Sequence, residues 1–224
     1  MKLGRFLLSL ALVAACVAAV LLTDIPAWLK YKKGDVKDYN LAEAGELKKG
    51  DLVQGTVDMS LGPCAEEYNT TYGVRSSDNS SKLYYVLWMD SDQLIVYETS
   101  ASSDYAALDR IADETVNYFK TLNEGVELGD MAGVQLPTST LEIQGRVTEL
   151  PSDIKGWFKE LYDKAFEDDD FEKSAEPVMI TRVQLDRLGM LVIIGAGCAV
   201  LAIVLLAAGI AVMRREKANL QQTY

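Results

Sequence analysis

The chain has 224 residues, a formal net charge of −11 and no histidine. The missing histidine excludes Ser-His-Asp and Cys-His catalysis, histidine-ligated zinc and an imidazole pH switch. Its three cysteines, Cys16, Cys64 and Cys198, are too scattered for a CxxC metal site and too few for a disulfide framework. We therefore expect no cofactor, no metal and no catalytic residue.

Two apolar runs stand near the ends of the chain. Residues 6–23 form a run of 18 without a charge, which as a helix spans about 27 Å, close to the hydrocarbon thickness of a bilayer. Residues 188–213 form a second run of 26, long enough to cross with tilt. Because a soluble core helix is not apolar on every face over such a length, the second run predicts a transmembrane helix.

The first run has three interpretations: a retained span, a cleaved signal peptide or a lipoprotein signal. Lys2 and Arg5 form a short basic start that suits all three. Residues 13–16 (Val-Ala-Ala-Cys) resemble a lipobox, with Cys16 as the acylated residue, but residues 17–22 stay apolar where a lipoprotein usually turns polar. We favour the retained span.

Charge divides sharply between the tails and the middle of the chain. The tails hold five basic side chains against one acidic, whereas residues 24–187 hold 17 basic and 32 acidic, a net of −15. We expect a multi-pass protein of the cell membrane with both termini cytoplasmic and the middle extracytoplasmic. The positive-inside rule alone is ambiguous, because Lys30, Lys32, Lys33 and Lys37 directly follow the first span, and the signal-like start decides for this orientation.

The middle region predicts one folded domain. Its predicted organisation, in chain order, is a cytoplasmic tail (1–5), the first span (6–23), a juxtamembrane connector (24–46), the domain (47–187), the second span (188–213) and a cytoplasmic tail (214–224). In the connector, Pro26 is expected to end the helix, and Trp28 and Tyr31 suit the headgroup layer.

Alternation and turn residues predict the elements of the domain. They are a strand over 53–59, a hairpin of 83–89 and 94–99, a helix from 103 or 104 to 125, a strand over 141–147, a helix after Pro151 and a last strand over 177–183. This order is that of a small OB-like β-barrel, in which Gly55 and Gly145 would provide sharp bends. The alternative is an α+β domain with an open antiparallel sheet and two packed helices. At −15 either domain would repel phosphate backbones, so we expect no nucleic-acid partner.

Two sets of residues are candidates for contacts with partners. The helix after Pro151 carries a wide apolar stripe that would suit a partner helix or the membrane surface, although packing against the sheet is the interpretation we favour; the stripe is Ile154, Trp157, Phe158, Leu161 and Tyr162. In the spans, small residues at helical spacing would let helices approach closely; they are Ala11, Ala15, Ala19, Gly195 and Ala199.

A weak resemblance concerns the whole architecture. Residues 47–57 (LKKGDLVQGTV), the Tyr84-Tyr85 strand, residues 141–147 (LEIQGRV) and the two flanking spans resemble uncharacterised two-span bacterial membrane proteins with an extracytoplasmic domain of unknown function. The resemblance implies this architecture and carries no catalytic residue.

Three functional hypotheses remain open. The first is a non-enzymatic interaction or assembly protein, whose partners are the lipid bilayer and another membrane or envelope protein. The second is an envelope hydrolase that works without histidine, for which Ser81-Lys82 and the acidic run 167–170 are the only raw material. The third is an accessory subunit of a sensor or transport complex, since neither span holds the ionisable residue that transport by this chain alone requires.

Overall fold

The computed structural model describes residues 2–68, 70–71, 74–75, 80–128, 134–166 and 170–221; most of the acidic run 167–170 lies outside these ranges. The elements are α1 (Lys2–Leu22), α2 (Ile25–Lys32), β1 (Lys37–Asp38), β2 (Leu52–Val57), β3 (Ser60–Glu67), β4 (Thr70–Thr71), β5 (Val74–Arg75), β6 (Lys82–Trp88), β7 (Leu94–Thr99), α3 (Ser102–Leu128), β8 (Leu141–Glu149), α4 (Ser152–Ala165), α5 (Phe171–Ser174), β9 (Ala175–Arg182) and α6 (Leu185–Gln221). They form two compact units: Met1–Gly34 with Gln184–Tyr224, the helical unit, and Asp35–Val183, the sheet domain.

The helical unit contains two helices that are long and apolar enough to cross a membrane. Only 11% of the most apolar stretch of each is buried within the chain, whereas a core helix of a soluble protein is mostly covered. Near the start, α1 ends at Leu22, and Pro26 lies in the first turn of α2. Proline is tolerated there because the first backbone N–H groups of a helix have no intrahelical acceptor. Pro26 therefore begins a second helix, and the expectation that it only ends the first one needs this correction.

Helices α1 and α6 pack against each other in antiparallel directions along a seam of small residues. Among the described side chains, the buried positions of α1 are Gly4, Ala11 and Ala18, and those of α6, after the buried Leu185 at its start, are Leu188, Gly195, Ala202 and Gly209. From Gly4 in α1 and from Leu188 in α6 the spacing is seven residues, the period of a left-handed helix pair. The seam therefore follows a heptad, rather than the four-residue spacing of Ala11, Ala15 and Ala19.

Glycine permits the close approach of the two backbones. A Cβ atom built on Gly4 would lie 2.5 Å from the Met213 Cγ and 3.2 Å from the Gly209 carbonyl oxygen. At the other end, a Cβ on Gly195 would lie 2.9 Å from the Leu21 Cβ. Real Cβ atoms do not come so close to carbon, so these positions exclude any larger side chain unless the helices separate.

In the sheet domain, seven strands form one sheet in the order β1-β2-β8-β9-β7-β6-β3. The β1–β2 and β7–β9 pairs are parallel, and the other four pairs are antiparallel. The sheet is open because no ladder joins β3 to β2. The closed OB-like barrel is thus not confirmed, and the sheet is mixed rather than purely antiparallel.

The open sheet is nevertheless strongly curled. Strands β2 and β3 are five strand spacings apart in the hydrogen-bonded order, which would separate them by about 24 Å in a flat sheet. Only Asp58 and Met59 lie between them, and the three Cα–Cα steps from Val57 to Ser60 reach at most about 11 Å. The sheet must therefore bend until its two sides nearly meet. The Trp88 amide N–H donates to the Met59 carbonyl oxygen at this bend.

Each face of the curled sheet has its own core. The inner core draws on β2, β6, β7, β8 and β9 and is completed by Leu108 and Ile111 of α3. The outer core lies over β3, β6, β7 and β9 and is completed by α4 and α5. The two predicted helices therefore cover opposite faces of the sheet.

Two strand glycines, Gly55 and Gly145, each admit a neighbouring group that a side chain would exclude. This close packing is a role that their predicted use as bends in the strands did not include. A Cβ on Gly55 would lie 2.8 Å from the Tyr39 ring, and a Cβ on Gly145 would lie 2.4 Å from the Ile180 Cγ2 and 2.8 Å from the Thr181 carbonyl oxygen. Close packing against the strand explains both glycines.

Candidate interaction surface

The apolar stripe of α4 is divided between core and solvent. Ile154, Phe158 and Tyr162 are buried in the outer core, where Phe158 and Tyr162 pack edge-on against Phe171. These three are spaced four residues apart, so they project from one side of the helix. Trp157 lies on the flank and is 46% exposed, while Leu161 is half-buried. Trp157 is therefore the member of the stripe that remains available to a partner.

Trp157 borders an open cavity at the edge of the sheet. The cavity has a volume of about 340 Å³, and its other walls are Pro63, Cys64, Ala65 and Glu66 of the edge strand β3. The pairing of β3 with β6 is irregular between Ser60 and Gly62 and between Pro63 and Ala65. Such bulges, together with a proline, protect an edge strand from further strand pairing. The surface thus offers side chains rather than a backbone ladder.

Next to Trp157, Gly156 leaves the backbone of α4 uncovered. A Cβ on Gly156 would meet no atom within 4 Å, so nothing inside the domain requires glycine there. A glycine within a helix destabilises it by about 0.5–1 kcal/mol relative to alanine. The Trp157 surface, meaning Gly156, Trp157 and the β3 residues Pro63–Glu66, therefore combines an aromatic side chain, a cavity and an uncovered stretch of helix backbone.

The thiol in this surface is a weak nucleophile. Burial raises the pKa of Cys64 to about 12, so the thiolate is scarce at neutral pH. Glu66, the acidic wall of the cavity, accepts a hydrogen bond from the Tyr68 hydroxyl. The arrangement suits binding better than covalent chemistry.

Ser81 and Lys82, the candidate catalytic residues of a hydrolase, make hydrogen bonds to different partners. The Ser81 hydroxyl donates to the Glu67 carbonyl oxygen at 3.0 Å. The Lys82 Nζ lies 2.8 Å from a Glu98 carboxylate oxygen, and this hydrogen bond raises the pKa of Lys82. A raised pKa makes the lysine a poorer acceptor for a serine proton.

A buried polar cluster, which no sequence pattern predicted, joins α3 to the sheet. The carboxylate of Asp104 accepts from the Arg182 Nε at 2.6 Å, from the Thr99 hydroxyl at 3.0 Å and from the Tyr97 hydroxyl at 3.3 Å. Burial, followed by the charge of Asp104, raises the pKa of Tyr97. Asp104 and Arg182 are 78 residues apart in the chain, so no local pattern predicts that they meet.

A second polar feature lies along α3. Glu114 accepts hydrogen bonds from the backbone N–H groups of Thr138 and Ser139, each at 2.8 Å, and from the Ser139 hydroxyl at 2.6 Å. These bonds lower the pKa of Glu114 to about 2. An open groove of about 340 Å³ lies beside Glu114, with Tyr118 and Pro137 on its walls. Both carboxylate oxygens of Glu114 accept hydrogen bonds from Thr138 or Ser139, so Glu114 holds the segment before β8 against α3.

The candidate helix-packing residues have different positions. Ala11 and Gly195 are buried in the seam, Ala199 is half-buried, and Ala15 and Ala19 are exposed. Ala15 and Ala199 line an apolar groove of about 570 Å³ that runs along the α1–α6 pair. Within the described ranges, no group of three or more His, Cys, Asp or Glu side chains is placed to hold a metal ion.

Comparison with known proteins gives a family and no activity. A family model described as a domain of unknown function, DUF8577, matches residues 2–213. No curated protein and no solved structure matches the chain. The match extends through both apolar helices and the sheet domain, so the two units belong to one conserved architecture. The chain is a member of the DUF8577 family of unknown function.

Proposed function

We propose that this chain is a two-pass membrane protein with a non-enzymatic interaction or assembly role, and that its sheet domain binds a protein partner through the Trp157 surface. In this proposal α1 and α6 cross the cell membrane, both termini are cytoplasmic and the sheet domain is extracytoplasmic. The exposed Trp157 beside a cavity carries the proposal, because aromatic side chains at a pocket are the usual energetic centres of protein interfaces.

The antiparallel packing of α1 and α6 supports the two-pass arrangement. Gly4 approaches Gly209, and Leu21 approaches Gly195, so both ends of the chain lie at one end of the pair. If both helices cross the bilayer, the two tails are on the same side. Because basic residues lie at both ends of the pair, the signal-like start of the chain, rather than the positive-inside rule, favours the cytoplasmic side for the tails.

We also propose that the curled sheet is an OB-like variant. If β2 and β3 act as one bent strand, the remaining order of strands and the helix between β7 and β8 follow the OB arrangement. OB domains bind oligonucleotides on the face of their second and third strands. Here the outer core covers β6 and β7 with α4, and the domain is acidic. Both features support a protein partner on the exposed flank of α4 rather than a nucleic acid.

Site-specific photo-crosslinking in cells tests the protein partner. A photo-reactive residue at Glu66, which lines the cavity, should give one adduct of defined mass, and the same residue at the exposed Glu149 should not. Trp157→Ala should abolish the Glu66 adduct. The matched control is Val116→Ala, because Val116 is an apolar side chain of the same domain that is 58% exposed. An adduct that survives Trp157→Ala, or that Val116→Ala removes equally, would contradict the proposal.

A further inference from the structure

The end of the helical unit away from the chain termini carries a ring of basic side chains. Its members, called the basic collar here, are Lys30, Lys32, Lys33 and Arg187. Lys32, Lys33 and Arg187 are exposed, and Lys30 is half-buried. Among the described residues at this end of the helical unit, the four basic side chains are accompanied by two carboxylates, Asp24 and Asp186, which leaves an excess of positive charge.

Two aromatic contacts hold the collar together across the two helices. The Tyr31 hydroxyl donates to Asp186 Oδ1 at 2.5 Å. Trp28 packs on Gly189, where an added Cβ would lie 3.0 Å from the indole Nε1. These contacts fix α2 beside the first turns of α6. The lysines of α2 and Arg187 of α6 therefore lie at one level of the helix pair.

That level matches the headgroup layer of a bilayer. Counted from Phe6, about 20 helical residues cross a hydrocarbon core of about 30 Å, which then ends near Pro26. Trp28 falls just beyond this boundary, and residues 30–33 fall about 6–10 Å beyond it. Tryptophan and tyrosine favour this layer, and basic side chains there attract anionic lipids.

We propose that the basic collar binds the phosphodiester headgroups of anionic phospholipids in preference to zwitterionic ones. The attraction is between the excess positive charge of the collar and the net negative charge of a lipid such as phosphatidylglycerol. The inference rests on the membrane insertion of α1 and α6 in the proposed function. It does not depend on the Trp157 surface.

The test uses the full chain in nanodiscs that contain equal amounts of phosphatidylglycerol and phosphatidylcholine. Native mass spectrometry then gives the ratio of the two lipids that remain bound after release. Each basic residue near the surface contributes a preference of about fivefold at low salt. We expect phosphatidylglycerol to be enriched at least fivefold. The enrichment should approach onefold in the triple variant Lys30→Gln, Lys32→Gln and Lys33→Gln.

The matched control removes the same charge from the sheet domain, as Lys48→Gln, Lys49→Gln and Lys164→Gln, and should keep the enrichment. Equal loss in both triple variants, or full enrichment in the collar variant, would overturn the proposal. If 10 mM inorganic phosphate suppresses the enrichment, the collar binds free phosphate rather than lipid headgroups. This result would also overturn the proposal. Failure of the chain to insert into nanodiscs would contradict the membrane anchor itself, whereas insertion without a lipid preference would contradict the collar alone.

Discussion

The helical unit and the sheet domain both rely on glycine for close packing, but the neighbours of those glycines differ. In the helical unit, Gly195 of α6 faces Leu21 of α1, and the buried positions along the seam of these two helices recur every seven residues. In the sheet domain, Gly145 faces Ile180 because β8 and β9 are paired. A seven-residue repeat in the sequence can therefore locate the contact at Gly195, whereas the contact at Gly145 is explained only by the pairing of β8 with β9.

The two regions also differ in how polar groups are used. Along the α1–α6 seam the buried positions are apolar or glycine, and the seam depends on shape. The domain instead buries Asp104 of α3 and pairs it with the half-buried Arg182 of β9. Substitutions in the seam are therefore expected to affect the helix pair, and substitutions at Asp104 the sheet domain.

The largest expected effect is on the Asp104–Arg182 ion pair of the domain. Asp104→Ala removes the acceptor of the buried Thr99 and Tyr97 hydroxyls and the partner of Arg182, whose side chain is 27% exposed. Because Arg182 is partly exposed, we expect a loss of about 3 kcal/mol, the lower end of the range for a broken buried pair. Urea unfolding of the full chain in detergent, followed by near-UV circular dichroism, measures this loss. The control Asp163→Ala removes an exposed pair with Lys159 and should change stability by less than about 1 kcal/mol. Equal effects of the two variants would contradict the assignment.

A smaller loss is expected at the strand glycine. Gly145→Ala places a methyl group 2.4 Å from the Ile180 Cγ2 and 2.8 Å from the Thr181 carbonyl oxygen. Such overpacking destabilises by about 1–3 kcal/mol. Gly156→Ala, where the added methyl meets nothing, should instead stabilise α4 by about 0.5–1 kcal/mol. The same unfolding measurement compares the two, and a tolerated Gly145→Ala would show that the strands need no close approach there.

In the helical unit, a large side chain introduced in the seam should separate α1 from α6, whereas one introduced on the outer face of the helices should not. Gly195→Leu requires α1 and α6 to separate, because Leu21 and Leu22 occupy the space. Spin labels at the exposed positions Val13 and Val204 should report a longer and broader distance distribution in nanodiscs, with no change in the unfolding of the domain. Gly197→Leu is the matched control, since no atom lies within 4 Å of its added Cβ. An unchanged distribution in Gly195→Leu would contradict the seam.

The smallest expected effect is a pH-dependent release of one segment. Because the pKa of Glu114 is about 2 in the folded chain and near 4.3 when unfolded, its contribution to stability is complete above pH 4.3. It is lost as the pH falls towards 2. The protection of the Thr138 and Ser139 amides against hydrogen exchange, taken relative to the intrinsic rate at each pH, should fall over this range in the parent chain. In Glu114→Gln the two amides should exchange with little pH dependence beyond the intrinsic rate, and protection equal to that of the parent chain would contradict the role of Glu114.

Hydropathy and alternation predicted much of the architecture. The two apolar runs are helices, the hairpin of β6 and β7 lies where alternation placed it, and helices follow at α3 and α4. These features are local, so a single segment carries enough information. Strand β3 was not among the predicted elements, because it contains Gly62 and Pro63, residues that normally mark turns. Gly62 has a φ of +94°, and the strand continues through it with an irregular register.

The candidate surface was predicted only in part. The stripe of α4 located Trp157, but its spacing did not reveal which members face the outer core. That division depends on how α4 is rotated over the sheet, which is a property of the packed fold. The neighbouring cavity depends on β3, almost a hundred residues earlier in the chain, and was therefore invisible to sequence patterns.

Cysteine accessibility in intact cells tests the membrane arrangement most directly. Native Cys64 is a poor reporter, because burial and a raised pKa slow its reaction; the three native cysteines are replaced by alanine. Cysteines are then introduced at Leu41, which is 71% exposed in the sheet domain, or at Lys217 in the C-terminal tail. A membrane-impermeant maleimide should label position 41 in intact cells and position 217 only after lysis. Labelling of position 217 alone in intact cells, or recovery of the full chain in aqueous extracts without detergent, would contradict the two-pass arrangement.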